Sequence, residues 1–143
     1  MNDLNDTVFA KIIRGEIPCY KIYEDGVFLA ILDIYPANPG HCLILPKAQA
    51  ADIFDLPNEV CAKILPLAKR IAAAIMAATD CDGVNILQNN GAAAGQEIFY
   101  YHLHIIPRYE KDGIRIKTSS SAAALGAKQA KVFQEKIIES LEV

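Results

Sequence analysis

Three histidines are the side chains of this sequence that exchange a proton near neutral pH, and two of them stand one residue apart. His102 and His104 lie in IFYYHLHII, a stretch that predicts a strand over residues 98–106. Alternation along that strand would place both on one face with Ile98, Tyr100 and Ile106. The opposite face would pack on the core through Phe99, Tyr101, Leu103 and Ile105. His41 begins another predicted strand, which could bring it close to the pair.

The H-x-H spacing on a strand is compatible with three kinds of site. The two histidines can be a hydrogen-bonded structural pair. Together with a third histidine they can bind zinc. A neutral imidazole whose tautomer is fixed can also attack phosphorus as a nucleophile. The spacing alone does not separate these possibilities.

A polar loop that contains two glycines precedes the histidines and suits a phosphate. Asn89 and Gln96 would supply neutral hydrogen-bond donors, while Gly91 and Gly95 would let a ligand approach the backbone N–H groups. The loop is no P-loop, because the G-x-x-x-x-G-K pattern is absent from the sequence. An ordinary turn is the alternative interpretation.

The elements that would position these residues are short strands and flanking helices. Apolar periodicity predicts helices over residues 8–14, 57–79 and 129–141. Strands are also predicted over residues 20–24, 27–32, 41–45 and 84–88, with Asp25-Gly26 as a type I′ turn. This order predicts an α+β fold with an antiparallel sheet of about five strands.

Length and composition exclude several classes of protein. The chain has 143 residues, which is the size of one domain, and 52% of them are apolar. A net charge of −3 argues against a broad basic surface, so we expect no nucleic-acid partner. No stretch is long and apolar enough for a membrane span, and the N-terminus lacks the pattern of a secretory signal. We therefore expect no membrane partner.

The four cysteines indicate a reducing compartment. Cys19, Cys42, Cys61 and Cys81 form no C-x-x-C pair and lie among apolar residues. This pattern favours buried free thiols over a disulfide framework, and we expect a cytoplasmic protein.

Several segments of the chain resemble the histidine triad (HIT) superfamily of nucleotide hydrolases and transferases, in particular its bacterial Hint-type branch. GQEIFYYHLHIIPR, over residues 95–108, is similar to the family signature H-x-H-x-H followed by apolar residues. VFAKIIRGEIP, DIYPANPGHCLILPK and the loop over residues 89–96 are similar as well, and these segments occur in the order expected for the family.

The resemblance implies a HIT fold, in which helices flank an antiparallel sheet and two subunits join their sheets in a homodimer. It also implies a purine mononucleotide site on each subunit. Residues 1–143 would form a single HIT domain, with a core at about 7–110 and a C-terminal helical extension at about 120–143. No cofactor is implied.

The resemblance also implies roles for individual residues. His102 falls at the nucleophile position, and His104 and His41 fall where histidines support the nucleophile or contact the phosphate. Asn89 and Gln96 fall near the α-phosphate, beside Gly95. Asp33 falls where an acidic residue binds the ribose hydroxyls, a role that suits a carboxylate, although an aspartate here could simply start a turn. The base and ribose pocket is implied for Val8, Phe9, Ile12, Ile31, Leu32 and Ile34.

The chain departs from the family pattern in two places. Tyr100 stands at the first histidine of the signature, where its phenol would be either a hydrogen-bond partner or a packing group. Thr7 and Ala10 stand where many bacterial relatives have the C-x-x-C of a structural zinc site, so we expect no metal there.

Together these features predict an enzyme that acts at the α-phosphate of a purine nucleotide. A phosphoramidate or phosphoanhydride substrate would form a covalent nucleotidyl-His102 intermediate and release AMP or GMP. Two alternatives stay open at this point: a nucleotide-binding or interaction module with little turnover, and a three-histidine metal site.

Overall fold

Five strands form one antiparallel sheet in the computed structural model, which describes residues 3–116 and 123–141. The strand order is β1-β2-β3-β5-β4. The strands are β1 Lys21–Glu24, β2 Phe28–Leu32, β3 Cys42–Pro46, β4 Gly83–Leu87 and β5 Leu103–Arg108. The helices are α1 Val8–Ile13, α2 Asn58–Thr79 and α3 Ala127–Leu141. The predicted α+β architecture with five antiparallel strands is confirmed.

The sheet separates two apolar clusters because side chains alternate along each strand. One face packs on α2 through residues such as Ile44 and Ile105, which are fully buried. The other face packs on α1, where Phe9 and Ala10 meet Leu43 and Leu45. His41 and His104 are on the α1 side of the sheet, since each is next in sequence to a residue of the α2 side, Cys42 or Ile105.

Helix α1 begins where the sequence predicts. The Thr7 hydroxyl accepts a hydrogen bond from the backbone N–H of Ala10 (3.2 Å), which caps the first turn. The helix ends before Gly15, whose φ of +80° is a conformation that glycine adopts without strain. This short helix therefore holds Phe9 against the sheet next to the histidines.

The strand that was predicted to carry both His102 and His104 is shorter than predicted, and His102 lies just before it. It begins at Leu103 instead of Ile98, and it continues through Pro107, which was expected to stop it. Residues before Leu103 leave the sheet because the backbone N–H of Tyr101 donates to the carbonyl of Ala50 (2.7 Å). Phe99 is 44% exposed, so its predicted place in the core is wrong.

The turn between β1 and β2 also differs from the prediction. A type I′ turn requires positive φ at both central residues, and neither Asp25 nor Gly26 has it. The Asp25 carboxylate instead accepts hydrogen bonds from the backbone N–H groups of Val27 and Phe28, both at 2.7 Å. An Asx-type turn therefore closes this hairpin.

Helix α3 covers the predicted C-terminal helix over residues 129–141 and starts two residues earlier. Its apolar residues, including Phe133 and Ile137, are exposed. Most of the predicted connection at residues 119–124 lies outside the described residues. Within the two described ranges, no helix is long and apolar enough to cross a bilayer.

A hydrogen-bond network ties the loop after β2 to the end of β5. The Arg108 guanidinium donates to both carboxylate oxygens of Asp112, at 2.8 and 2.9 Å. Asn38 Nδ2 donates to Asp112 (3.1 Å) and to the carbonyl of Pro107 (2.8 Å). The loop that contains Asp33 and ends at His41 is thereby held to the strand that contains His104.

We expect Asp112→Asn to lower the melting temperature at pH 7. The Arg108 guanidinium and the backbone N–H groups of Tyr109 and Ile114 hold the pKa of Asp112 well below its usual range. A lowered folded-state pKa stabilises the fold above the unfolded value of about 3.9, and this stabilisation is lost as the pH falls through the folded value. The melting-temperature difference between wild type and variant should therefore stay constant from pH 5 to 8, begin to shrink below about pH 4 and keep shrinking as the pH falls further. Thermal unfolding followed by circular dichroism tests this, with exposed Glu59→Gln as the control. A difference that persists unchanged at pH 3 would contradict it.

Candidate active site

A cavity of about 520 Å³ opens on the α1 side of the sheet. Twelve of the thirteen predicted site residues line it: Val8, Phe9, Ile12, Ile31, Leu32, Asp33, Ile34, His41, Asn89, Gly95, His102 and His104. Most of its wall is apolar, and the polar groups gather around the histidines. The structure therefore brings together residues from four separate parts of the chain.

The ring of His102 is held by the backbone of its own segment. Its Nδ1–H donates to the carbonyl of Tyr100 (2.7 Å), and the ring lies 4.8 Å from that of Phe9 between centroids. Because Nδ1 carries the proton in this bond, Nε2 of the neutral ring has a free lone pair. The geometry thus selects the tautomer that a nucleophile needs.

His41 and His104 form a directed hydrogen-bond chain. The backbone N–H of Ala37 donates to Nδ1 of His41 (3.1 Å), so the proton of His41 is on Nε2. His41 Nε2–H then donates to Nδ1 of His104 (2.9 Å). His104 in turn carries its proton on Nε2 and is a hydrogen-bond donor at that atom.

The reactive nitrogens are accessible. Among the described residues, every buried polar side-chain atom has a hydrogen-bond partner. The Nε2 atoms of His102 and His104 have none within the described protein, so they must be reachable from the cavity. One nitrogen thus offers a lone pair and the other a proton, with the two rings 4.8 Å apart between centroids.

All three histidines are neutral at pH 7. Burial lowers the pKa of His102, and the hydrogen bond to Tyr100 opposes this only in part. Burial also lowers the pKa of His41, and the negative charge of Asp33 offsets this only in part. Burial together with the other two imidazoles lowers the pKa of His104 to about 4. The site therefore presents imidazoles and not imidazolium cations.

Asp33 lies at the same end of the cavity. Its Oδ1 accepts from the backbone N–H of Tyr35 (2.9 Å), and its Oδ2 is 3.7 Å from Nε2 of His41. The turn that the alternative interpretation assigns to this aspartate is therefore present. The carboxylate also lines the cavity, where Oδ2 has capacity for a further donor.

Gln96 does not line the cavity, which departs from its predicted place at the phosphate. Its side chain is buried, with Oε1 accepting from Gly91 (2.8 Å) and Nε2 donating to the carbonyls of Ala51 (2.7 Å) and Ile98 (3.2 Å). Both hydrogens on Nε2 therefore have acceptors inside the protein. Gln96 holds the loop in shape instead of facing a ligand.

The backbone of the same loop is also less available than predicted. The N–H groups of Gly91, Ala94, Gly95 and Gln96 all have acceptors within the loop itself. Gly95 has a φ of +91°, and an added Cβ would come within 3.4 Å of Asn89 Nδ2. The glycine keeps the Asn89 amide close to the loop, and this amide remains the polar group that faces the cavity.

Tyr100 is a packing group. Its ring is 1% exposed and meets Phe9 edge to face, and its hydroxyl donates to the carbonyl of Pro46 (2.5 Å). Burial raises the pKa of this phenol to about 12, so it stays protonated. The side chain is absent from the cavity wall, and only its backbone carbonyl acts in the site, through His102.

Sequence reasoning missed several residues that line the cavity. Leu43 could have been found by alternation, since it is two residues after His41 on the same face of β3. Glu97 was overlooked in favour of its neighbour Gln96. No pattern in the sequence separates these two, because the loop lacks the regular alternation of a strand.

One cluster of side chains has ligand atoms close enough together to hold a metal ion, and it differs from the three-histidine set that the sequence left open as an alternative. Ligand atoms of Asp33, His41 and His104 lie within 4.8 Å of one another, and His102 is not among them. Nδ1 of His41 already accepts from Ala37, which leaves the proton on Nε2, the atom that would have to bind the ion. The hydrogen bonds therefore oppose a metal at this position.

Comparisons with known proteins agree with the motifs. The HIT domain profile matches residues 14–111. An Arabidopsis thaliana protein named adenylylsulfatase HINT3 is 52% identical over 108 residues, which are 76% of this chain and 55% of that protein. A Schizosaccharomyces pombe protein named adenosine 5′-monophosphoramidase hnt1 is 46% identical over 101 residues, which are 71% of this chain and 73% of that protein.

The fold has solved counterparts. The crystal structure of a HIT family protein from Bacillus anthracis superposes with a TM-score of 0.86 and 39% sequence identity, and covers 95% of this chain and 97% of its own. The predicted HIT fold is thereby confirmed. Profile, relatives and structure agree, and the chain belongs to the HIT domain family.

Proposed function

We propose that the protein hydrolyses a bond between the α-phosphate of a purine nucleoside monophosphate and its leaving group. The observation that carries the proposal is the pair of fixed tautomers: His102 Nε2 offers a lone pair to a cavity in which His104 Nε2 offers a proton. The names of the Arabidopsis and fission yeast relatives support AMP derivatives as substrates. Phosphoramidates and phosphoanhydrides are the substrate classes, and AMP or GMP is the product.

The reaction proceeds in two displacements. His102 Nε2 attacks phosphorus, the bond to the leaving group breaks, and the leaving group takes the bonding electrons and a proton from solvent. Water then attacks the nucleotidyl-His102 intermediate, the P–Nε2 bond breaks, and the lone pair returns to the imidazole. The nucleoside monophosphate leaves with the oxygen of that water, whose second proton passes to solvent.

Neutral donors stabilise the phosphate. His104 Nε2–H and the Asn89 amide are the cavity groups that can donate to the phosphoryl oxygens, whose charge is spread in the transition state. His104 Nδ1 accepts a hydrogen bond from His41 Nε2–H, and this keeps the proton of His104 on Nε2. The histidine pair therefore supports the chemistry that His102 performs.

The part of the cavity wall around Phe9 and Asp33 suits a nucleoside. Val8, Phe9 and Ile31 provide apolar surface on which a purine can lie, and the free lone pairs of Asp33 Oδ2 can accept from ribose hydroxyls. Binding energy from the base and sugar would then place phosphorus against His102.

We also propose that the chain works as a cytoplasmic homodimer. Strand β4 is at an edge of the sheet with one neighbouring strand, β5, and its Ile86 side chain is 44% exposed. Pairing of this edge with a second copy would cover both the backbone groups and the apolar side chain. The four free cysteines support a reducing compartment.

The first test is AMP release from adenosine 5′-phosphoramidate by wild type and by His102→Ala. We expect wild type to release AMP, and the variant to be slower by at least about 10³-fold because the nucleophile is gone. Rapid mixing and quenching in alkali, where P–N bonds survive, should trap wild-type protein carrying one adenylyl group. Circular dichroism and AMP binding by calorimetry control for folding, and His102→Asn is a second variant of closer shape.

The outcomes of this test separate the enzyme from a binding module. Tight AMP binding by wild type without product release would overturn the proposal in favour of a nucleotide-binding module. Release that survives in both His102 variants would show that another group attacks phosphorus.

The tautomers can be observed directly because the chain has only three histidines. Long-range ¹H–¹⁵N spectra at pH 7.5 should show a protonated Nδ1 for His102 and a protonated Nε2 for both His41 and His104. On titration to acid, each ring should protonate below pH 6.5, with His104 near 4, since burial disfavours the cation. An Nε2–H tautomer at His102 would contradict the assigned nucleophile.

Light scattering during size exclusion tests the dimer. We expect a mass of twice 15.6 kDa for wild type and a shift towards 15.6 kDa for Ile86→Arg, because a charge on β4 opposes edge pairing. Leu65→Arg places the same charge at an exposed apolar position on α2 and should leave the mass unchanged. A monomeric wild type, or an equal effect of both variants, would refute pairing through β4.

A further inference from the structure

We infer that Glu97 selects substrates by the charge of their leaving group, favouring cationic over anionic ones. The inference rests on the proposed function and concerns the same cavity. Glu97 is an exposed residue that lines this cavity, while the groups that we assign to the nucleoside are Asp33 and the apolar wall of α1 and β2. It is therefore an exposed carboxylate in the wall of a site that, in the proposed function, handles an anionic phosphate.

The position of Glu97 is fixed by its neighbours. Gln96 before it is buried and hydrogen-bonded to Gly91, Ala51 and Ile98, so the backbone on both sides of Glu97 is anchored. Two residues earlier, the Gly95 carbonyl accepts from the Asn89 amide (3.4 Å), the group that we assign to the phosphate. The carboxylate thus belongs to the same loop as the phosphate-binding amide.

The charge balance of the cavity makes this carboxylate influential. Among the described residues that line the cavity, none is a lysine or arginine. The pKa values of His41, His102 and His104 are all lowered, so these side chains are neutral at pH 7. Asp33 and Glu97 are then the charged side chains of the wall, and both are negative.

A leaving group meets this negative field when it sits beyond the phosphate. An anionic leaving group, such as sulfate, phosphate or a carboxylate-bearing amine, is repelled, and an amine with a second, protonated amino group is attracted. For a separation of about 6 Å between the carboxylate and the charge of the leaving group, in a water-like dielectric, one carboxylate changes the rate constant by about threefold per unit of leaving-group charge. Between a leaving group of charge +1 and one of charge −1, the expected discrimination is about tenfold.

Three adenosine 5′-phosphoramidates of similar size test the inference. Their leaving amines are ethylenediamine, which carries a cationic end, 2-methoxyethylamine, which is neutral, and β-alanine, which carries a carboxylate. The values of kcat/KM are measured at pH 7, where the distal amine is protonated, for wild type and for Glu97→Gln and Glu97→Lys. The ratio of the cationic to the anionic substrate is compared between proteins, so that the intrinsic reactivity of each amine cancels.

We expect the ratio to fall about tenfold from wild type to Glu97→Gln and to fall further in Glu97→Lys. Because Glu97 is exposed, raising NaCl from about 0.02 to about 0.5 M should shrink the wild-type ratio and leave that of Glu97→Gln nearly unchanged. Glu110→Gln changes the net charge of −3 by the same amount at an exposed position outside the cavity wall, and it should keep the wild-type ratio.

The possible failures are distinguishable. Absence of AMP release from all three substrates by wild type would overturn the proposed function and this inference with it. Release with the same ratio in wild type and both Glu97 variants would leave the proposed function intact and overturn the role of Glu97. An equal shift of the ratio in Glu110→Gln would trace the effect to net charge, which also overturns it.

Discussion

The site depends on two backbone groups that decide where the protons of three imidazoles are. The carbonyl of Tyr100 holds the proton of His102 on Nδ1, and the N–H of Ala37 forces the proton of His41 onto Nε2. The second bond propagates to His104 through His41. If Ala37 offered a carbonyl instead, His41 would present a lone pair at Nε2, and His104 would lose the proton that it directs at the cavity. A pair of main-chain groups thus separates the nucleophile from the donor.

Such control requires a rigid frame, because Ala37 and Tyr100 both lie outside regular strands. The loop from Asp33 to His41 is closed by a hydrogen bond from the N–H of Asp33 to the carbonyl of His41 (2.9 Å), and Asn38 ties it to Pro107. On the other side, the hydroxyl of Tyr100 donates a hydrogen bond to the carbonyl of Pro46, and this contact fixes the position of the Tyr100 carbonyl. Tyrosine at the first signature position therefore adds stability to the His102 contact while its own phenol stays out of the chemistry.

The sequence predicts the parts of this site that follow from periodicity. His104 lies on the cavity side of β5, and His102 keeps that side although it precedes the strand by one residue. His41 reaches them because Leu43 pairs with His104 across β3 and β5. Periodicity fails where the chain leaves the sheet. The pairing of β5 with β3 ends at Leu103. The N–H of Tyr101 donates to the carbonyl of Ala50 instead, and Phe99 is exposed. The same reason explains why Glu97 lines the cavity where Gln96 was predicted to. Hydrogen bonds to other parts of the chain, and not strand alternation, determine the conformation of that loop.

Neutral histidines also decide how this cavity can hold an anion. In the proposed mechanism, protonation of His102 would attract the phosphate but remove the lone pair that attacks it, so burial favours reactivity over charge attraction. Without a lysine or arginine among the described residues of the wall, affinity must come from the base, the ribose and neutral donors. In the complex that we propose, the nucleoside is recognised by shape and hydrogen bonds. The leaving group then faces the exposed Glu97 carboxylate on its anchored loop, and charge is the property by which such a group discriminates.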